Sequence, residues 1–126
     1  MMCRYYLIML SVLLVPFSST LAQPGNAETY IQFIEEPDAD SSTDCNQRGG
    51  LRISVINKHP DRIIDLQLDR YFAEVRQPGR SMFALRNGHK LALGCNIVMD
   101  SRQRWELLNA SFISESEAVK RYGTIY

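Results

Sequence analysis

Two runs in the middle of the chain alternate apolar and polar side chains. Residues 51–55 (LRISV) and residues 64–68 (IDLQL) each place every second side chain on one apolar face. A period of two is typical of a strand with one buried face. The segment 57–61 between them is rich in turn-forming residues, and Pro60 restricts the backbone before it. The pattern therefore predicts two strands joined as a hairpin.

A second hairpin is predicted around the dipeptide Asn87-Gly88. A strand is expected over 82–86, and the Asn-Gly pair favours a two-residue turn because a type I′ turn needs positive φ at both central positions. Closing that loop pairs Ala84 with Leu91 and Met82 with Leu93. The predicted core face of this hairpin consists of Met82, Ala84, Leu91, Leu93 and Cys95.

The other periodic segments complete a β-rich chain. Residues 30–34 (YIQFI) predict a first strand, which the turn-forming segment 37–50 follows. Residues 104–113 (RWELLNASFI) predict a further strand, although their apolar pattern also allows a helix. Ser114 with Glu117 fits the capping box of a short terminal helix, and a frayed tail is the alternative.

Short strands separated by turns predict an all-β domain, a sandwich or small barrel of five to seven strands. We expect a small β-sandwich over 30–114, with a flexible lead-in at 23–29 and a tail or short helix at 115–126. The strand spacing and the late cysteine resemble an immunoglobulin-like or fibronectin-like sandwich in outline. The Cys-Trp-Cys order of antibody domains is absent, since Trp105 follows Cys95.

The first 22 residues are composed differently from the rest. Arg4 is their only charge, and it precedes an apolar run over 6–17 (YLIMLSVLLVPF). That run is shorter than the roughly 20 residues of a membrane-spanning helix, and it matches the apolar centre of a secretory signal peptide. We predict cleavage after Ala22, with Ala27 as a second candidate site and an uncleaved membrane anchor as the alternative. The mature chain is expected to be secreted or periplasmic, without stable membrane insertion.

The cysteines predict one covalent link in the mature domain. Removal of residues 1–22 leaves 104 residues, which suit one domain with a modest core. Cys45 and Cys95 remain, and two cysteines in an exported domain predict a disulfide. Closing a loop of about 50 residues stabilises a fold by about 4 kcal/mol in the chain-entropy model. Free thiols or an intermolecular bridge are the alternatives.

Charge is nearly balanced overall but unevenly distributed. The predicted mature chain has 13 basic and 14 acidic residues. Six acids and no base lie in 28–44, whereas 45–104 contains eleven bases and five acids. Eleven of the 14 bases of the chain are arginines, which favour bidentate pairing. The distribution indicates either an acidic segment lying across a basic face or an anionic partner.

The sequence contains no recognised catalytic or cofactor motif. His59 and His89 both fall in predicted turns, where a histidine is usually solvated. Asp65 and Asp69 share a strand face that is predicted to point outward, which favours a polar surface over a catalytic pair. We therefore expect no enzyme activity and no cofactor.

Oxygen-bearing side chains alternate from Asp38 to Asn46, as they do in a calcium-binding loop. Thr43 stands where the tight turn of an EF-hand needs glycine, and Gly49 stands where that loop needs glutamate. A solvated acidic loop is therefore favoured over a metal site. Two histidines and an oxidised cysteine pair cannot supply the four ligands of a zinc site either.

Arginines interleaved with aromatic residues form a predicted partner-binding patch. Its members are Arg70, Tyr71, Arg76, Arg80, Phe83 and Arg86. The expected partner is an acidic region of another protein in the envelope or outside the cell, and no nucleic acid is expected there. A solubilising arginine face paired with Asp65 and Asp69 is the alternative. We predict a non-enzymatic binding module that acts through a sheet face or edge, where a partner strand can add.

Two further hypotheses concern other classes of protein. The first is an inhibitor or immunity-type protein that blocks a basic active site with an acidic loop made of Asp38, Asp40 and Asp44. The second is a hydrolase with an unrecognised site that uses His59 or His89. The second is the less favoured of the two.

Overall fold

The computed structural model describes residues 26–39 and 44–126. The predicted signal peptide at 1–22 and Asp40 of the predicted inhibitory loop lie outside the described residues. A 3-10 helix over Ala27–Tyr30 leads directly into the first strand, and Ala27 is buried in the core. Residues 27–29 of the segment predicted as a lead-in therefore belong to this 3-10 helix.

Strands make up most of the described chain. They are β1 (Ile31–Glu36), β2 (Arg52–Asn57), β3 (Ile63–Phe72), β4 (Val75–Arg76), β5 (Ser81–Leu85), β6 (Lys90–Cys95), β7 (Ile97–Val98) and β8 (Ser101–Ile113). A single helical turn, α1 (Asp44–Gln47), lies between β1 and β2, and helix α2 (Glu115–Tyr122) follows β8. The 104–113 segment is therefore a strand, and the segment after it is a helix.

The strands form two antiparallel sheets. The first sheet has the order β1-β2-β6. In the second sheet, β8 pairs along one side of β3, and β5 and the short β4 pair along its other side. β7 extends this sheet from the first residues of β8. Val55 of the first sheet packs with Leu66 and Leu68 of the second in one core, so the predicted all-β fold with two sheets is confirmed.

The predicted hairpin between 51–55 and 64–68 is wrong. β2 pairs with β1 and β6, whereas β3 pairs with strands of the other sheet. The turn after β2 therefore carries the chain from one sheet to the other. Alternation requires only that each apolar face be buried. Two strands that face each other across the core meet this requirement as well as two strands that lie side by side.

The predicted pairing across Asn87-Gly88 is also wrong. A turn is present there, and Gly88 has a φ of 71°. However, β5 pairs with β3 and β6 pairs with β2, so this turn is another crossing between the sheets. Asn-Gly chemistry specifies a chain reversal and leaves open which strands become neighbours.

The side chains of β5 consequently face the opposite way from the prediction. Phe83 and Leu85 point into the core. Met82 is exposed, and Ala84 is buried on the outer face of the sheet beneath helix α2. The predicted core face is therefore wrong for Met82 and Ala84.

Asn57 joins the two crossing turns. Its Nδ2 group donates hydrogen bonds to the carbonyl oxygens of Arg62 (2.8 Å) and Leu85 (2.9 Å), and its Oδ1 accepts one from the N–H of His59 (2.9 Å). Its backbone N–H donates to the carbonyl of His89 (3.1 Å). The side chain is fully buried, so one amide satisfies backbone groups from both turns.

The disulfide prediction is confirmed. Cys45 of α1 is bonded to Cys95 at the end of β6, and Cys45 is fully buried. The bond ties the connection between β1 and β2 to the far edge strand of the same sheet. It therefore holds α1 against the first sheet.

Helix α2 covers part of the outer face of the second sheet. The side chain of Ser114 caps it by accepting a hydrogen bond from a backbone N–H of the first turn, and Gly123, with a φ of 74°, ends it. Ala118 packs against Ala84 of β5. The chain then turns back and brings Tyr126 alongside β5.

Candidate functional site

An apolar groove opens between the edges of the two sheets, where β5 and β6 lie opposite each other. Its volume is about 380 Å³. The lining residues are Ser81, Met82, Phe83, Leu91, Ala92, Leu93, Trp105 and Tyr126. Several of them also pack against the core, which gives the groove a rigid floor. An apolar surface of this kind, bordered by polar residues, is typical of a binding site.

One edge of β5 runs along this groove and is only partly occupied. β5 pairs with β3 on one side, and within residues 26–39 and 44–126 no strand pairs with its other side. Tyr126 lies there. Its N–H donates to the carbonyl of Ala84 (3.0 Å), and its own carbonyl accepts from the N–H of Arg86 (2.7 Å). These are the bonds that an added strand makes with a sheet edge.

Met82 directs its backbone toward the same edge. Successive residues of a strand alternate the side toward which their N–H and C=O groups point. Since Ala84 and Arg86 direct these groups to Tyr126, Met82 also directs its groups away from β3. The described part of the chain places no strand beside Met82, so its N–H and C=O are open to a partner.

The ring of Tyr126 closes one end of the groove. It lies edge-on against Phe83, with 5.9 Å between the ring centroids. The side chain is 49% exposed, so water reaches it on the other side. Tyr126 therefore occupies part of the site with both its backbone and its side chain.

A smaller pocket adjoins the groove at the start of β5. Its volume is about 200 Å³, and it is lined by Arg70, Pro78, Gly79, Arg80 and Ser81. Ser81 lines both cavities. Arg70 donates to the neutral amide oxygen of Gln103 (3.0 Å). Arg80 directs its guanidinium group to Asp69, whereas Arg70 directs its own to Gln103.

The carboxylate of Asp69 binds two arginines, Arg76 and Arg80. Its side chain is nearly buried, with Nε of Arg76 at 3.2 Å from Oδ2 and Nε of Arg80 at 3.4 Å from Oδ1. The hydrogen bond from Arg76 holds the pKa of Asp69 below its usual value, against the opposing effect of burial. One carboxylate thus pairs with two guanidinium groups at this end of β5.

The structure brings together only some residues of the predicted partner-binding patch. Arg76 and Arg80 bind Asp69, Arg70 binds Gln103, and Arg70 and Arg80 line the small pocket. Phe83 is 8% exposed and contributes to the core and to the floor of the groove. The binding role of these residues stays a prediction.

The other two members of that patch lie apart from the pocket. Tyr71 is on the outer face of the second sheet, where the Arg104 guanidinium lies 4.1 Å from the centre of its ring. Burial, and then a hydrogen bond to Glu106, raises the pKa of Tyr71. Arg86 lies at the opposite end of β5 from the pocket and binds Glu115 at 3.1 Å.

Asp65 is buried, which corrects the prediction that it forms part of an exposed polar face. It is 5% exposed and binds Arg121 and the hydroxyl of Tyr122, both from helix α2. Burial, and then the hydrogen bond to Asp65, raises the pKa of Tyr122. These bonds fasten α2 to β3 and so fix the position from which the chain returns to Tyr126.

Neither histidine lines the groove. Nδ1 of His59 accepts hydrogen bonds from the backbone N–H groups of Asp61 (3.2 Å) and Arg62 (2.9 Å), and its ring packs edge-on against Phe112. His89 is exposed in the turn between β5 and β6. The geometry favours a structural role for His59, which shapes the turn after β2.

The acidic segment is tied to the domain through Asp38. Its two carboxylate oxygens accept hydrogen bonds from Nε (3.1 Å) and Nη2 (2.9 Å) of Arg52, and its carbonyl accepts one from Asn46. Asp44 begins α1. Within the described ranges, no three His, Cys, Asp or Glu side chains are placed to hold a metal ion together. The inhibitor hypothesis stays a prediction, and the pairing with Arg52 weighs against Asp38 as a contact residue.

Comparisons with protein-family models, with curated proteins and with solved structures gave no match. Of the helices in the described part of the chain, none combines the length and the apolar character needed to cross a membrane.

Sequence reasoning missed Trp105 and Tyr126 as groove residues. They come from β8 and from the segment after α2, whereas the rest of the groove belongs to β5 and β6. No local pattern brings four such segments together. The available signal was two aromatic residues in largely polar surroundings, which is too weak to place them in one site.

Proposed function

We propose that this protein is a non-enzymatic binding module that takes up an extended segment of another protein along the edge of β5 at Met82, beside the part of that edge that Tyr126 occupies. The observation that carries this proposal is the pairing of Tyr126 with Ala84 and Arg86, since it uses this edge as an added strand would. In strand addition, backbone hydrogen bonds supply affinity and pockets for alternate side chains supply specificity.

The groove supports the part of this recognition mode in which pockets accept alternate side chains. Alternate side chains of a segment beside β5 would point between the two sheets, where Phe83 and Trp105 form an apolar floor. Met82, 47% of which is exposed, would be covered by the same segment. Burial of apolar surface contributes roughly 25 cal/mol per Å² before the cost of ordering the segment.

We also propose that the protein is exported and that its fold is an immunoglobulin-like or fibronectin-like sandwich. The disulfide supports export, because such bonds persist in oxidising compartments. The burial of Ala27 supports cleavage after Ala22, since cleavage after Ala27 would remove a core residue. A sheet of order β1-β2-β6 that faces a sheet centred on β3, with the chain crossing repeatedly between them, supports the sandwich class.

Selection from a phage-displayed library of short random peptides tests the proposed function. The bait is the processed, oxidised protein, and the comparison bait is the Met82→Pro variant. Proline removes the N–H that Met82 directs to the free edge, and proline is tolerated on edge strands where that N–H faces solvent. We expect enriched peptides with alternating apolar residues that bind the wild type and fail to bind Met82→Pro.

Met82→Ala is the matched control, because it shortens the same side chain and keeps the backbone N–H. It should retain most of the binding, and the thermal unfolding of both variants verifies that each is folded. Equal binding of the selected peptides to Met82→Pro and to the wild type would show that the β5 edge is not the site. Enrichment of no peptide would count against the binding module itself.

A further inference from the structure

We propose that the bound segment displaces Tyr126 and pairs with the edge of β5 from Met82 to Arg86. This inference rests on the proposed function and extends the surface that the partner uses. Its basis is the way in which Tyr126 holds the edge, with one hydrogen bond to the carbonyl of Ala84 and one from the N–H of Arg86. The edge is therefore divided between an open residue and two residues that Tyr126 occupies.

The open part of the edge is short. A segment that pairs with Met82 alone gains the hydrogen bonds of one N–H and one C=O, and each adds little net free energy. Association itself costs the loss of translational and rotational freedom. A segment that takes Ala84 and Arg86 as well forms further backbone hydrogen bonds along the same edge. Displacement of Tyr126 therefore increases what the partner gains.

Tyr126 is a weaker occupant of the edge than an added antiparallel strand. It bonds to two different residues, Ala84 and Arg86, which is the parallel pattern. In antiparallel pairing, a residue exchanges both bonds with one partner, and that pairing is slightly more stable per residue. Tyr126 also leaves 49% of its surface exposed. An antiparallel segment of several residues would therefore bind this edge better than Tyr126 does.

Release of Tyr126 leaves helix α2 in place. Arg121 and Tyr122 fasten the helix to the second sheet by binding Asp65. Both residues precede Gly123, which ends the helix with a φ of 74°. Only the residues after this glycine have to move, so the helix keeps its contacts while the edge of β5 becomes free.

Displacement also vacates the position of an aromatic ring. The side chain of Tyr126 lines the groove and lies edge-on against Phe83, with 5.9 Å between the ring centroids. Edge-on aromatic pairs stabilise an interface beyond the apolar area that they bury. A partner that replaces Tyr126 recovers this contact with a ring of its own. The partner is accordingly an extended segment with an aromatic residue that packs against Phe83.

Amide hydrogen exchange at Tyr126 tests the displacement. Its N–H donates to Ala84, so binding of a peptide selected from the random library should end that bond and speed exchange at Tyr126 by about tenfold or more. The Tyr126→Ala variant weakens the occupant, so it should bind the same peptide about tenfold more tightly. Val119→Ala is the matched control, because it shortens a similarly exposed apolar side chain on α2. It should bind as the wild type does.

The outcomes separate this inference from the proposed function. Slower exchange at Met82 with unchanged exchange at Tyr126 would overturn the displacement and leave strand addition at Met82 standing. Weaker peptide binding by Tyr126→Ala would also overturn it, because Tyr126 would then be a wall of the site. Selected peptides that lack an aromatic residue would contradict the replacement of the ring. Enrichment of no peptide would remove the inference together with the proposed function.

Discussion

The side-chain amide of Asn57 donates a hydrogen bond to the backbone carbonyl of Leu85, 2.9 Å away, and thereby joins the end of β2 in one sheet to the end of β5 in the other. The same amide also binds backbone groups of Arg62 and His59. Buried polar groups that lose their partner carry the full cost of desolvation. The two turns that exchange the chain between the sheets are therefore held by one side chain.

Replacement of Asn57 by alanine should destabilise the fold strongly. The change leaves three backbone groups without their partner, and the carbonyl of Leu85 among them is buried. A buried group without a partner costs about 1–3 kcal/mol, so we expect a loss of about 2–3 kcal/mol in the free energy of unfolding. Chemical denaturation measures it. Asn87→Ala is the matched control, because that exposed amide makes one hydrogen bond to Pro60. Equal losses in the two variants would contradict this role of Asn57.

Acid should weaken the fold partly through Asp69. Its pKa is lowered in the folded protein, so the stability contributed by its ion pairs is present above the unfolded pKa of about 3.9 and is lost as the pH falls through the folded value. Denaturation curves between neutral and strongly acidic pH should show a smaller loss of stability for Asp69→Asn than for the wild type. Asp100→Asn makes the same charge change at an exposed turn. The account fails if Asp69→Asn and the wild type show the same pH dependence.

Reduction of the disulfide should lower stability by about 4 kcal/mol, the chain-entropy value for a loop of roughly this size. The bond joins residues that are 50 positions apart in the sequence. Guanidinium denaturation with and without a reductant measures the difference. The double variant Cys45→Ala, Cys95→Ala should be destabilised to a similar extent and should not respond to reductant. A reduced wild type as stable as the oxidised protein would show that the bond contributes little.

Export should release a chain that begins at Gln23. Cleavage there keeps Ala27, which is buried in the core with 3% exposure. Intact-mass measurement and N-terminal sequencing of the protein recovered from a secreting host decide the point. A mature chain that begins at Glu28 would contradict the argument from burial, and a chain that retains Met1 would contradict the signal peptide.

Strand positions were predictable from the sequence because alternation records which faces are buried. The strands over 51–55, 64–68 and 104–113 all occur, as does the terminal helix capped by Ser114. Pairing was not predictable in the same way. Apolar faces that meet across a core give the same period as faces that lie side by side, and the turn at Gly88 reverses the chain in either arrangement.

Some turns carry no signal in the sequence at all. β3 and β4 are joined through Ala73 and Glu74, which have φ values of 48° and 65°. β7 and β8 are joined in the same way through Met99 and Asp100, at 49° and 62°. Neither pair contains glycine, so the residue types do not predict either turn. Both turns join strands that pair with each other, and these pairings are visible only in the assembled fold.

The residue types of the candidate site were more predictable than its position in the fold. Arg70 and Arg80 belong to the predicted patch, and they do line one pocket. The apolar groove beside them depends on Trp105 and Tyr126, whose approach to β5 follows from the path of β8 and α2. A site between two sheets depends on where the chain crosses from one sheet to the other. The sequence pattern does not determine those crossings.

Amide hydrogen exchange at Met82 is the most direct test of strand addition at β5. Its N–H points to the part of the edge that Tyr126 leaves open, and a bound segment would accept a hydrogen bond from it. NMR of the isotopically labelled protein, with and without a peptide selected from the random library, should show exchange at Met82 slowed by about tenfold or more on binding. Unchanged exchange at Met82, with slowing at the outer edge of β8 instead, would contradict the account.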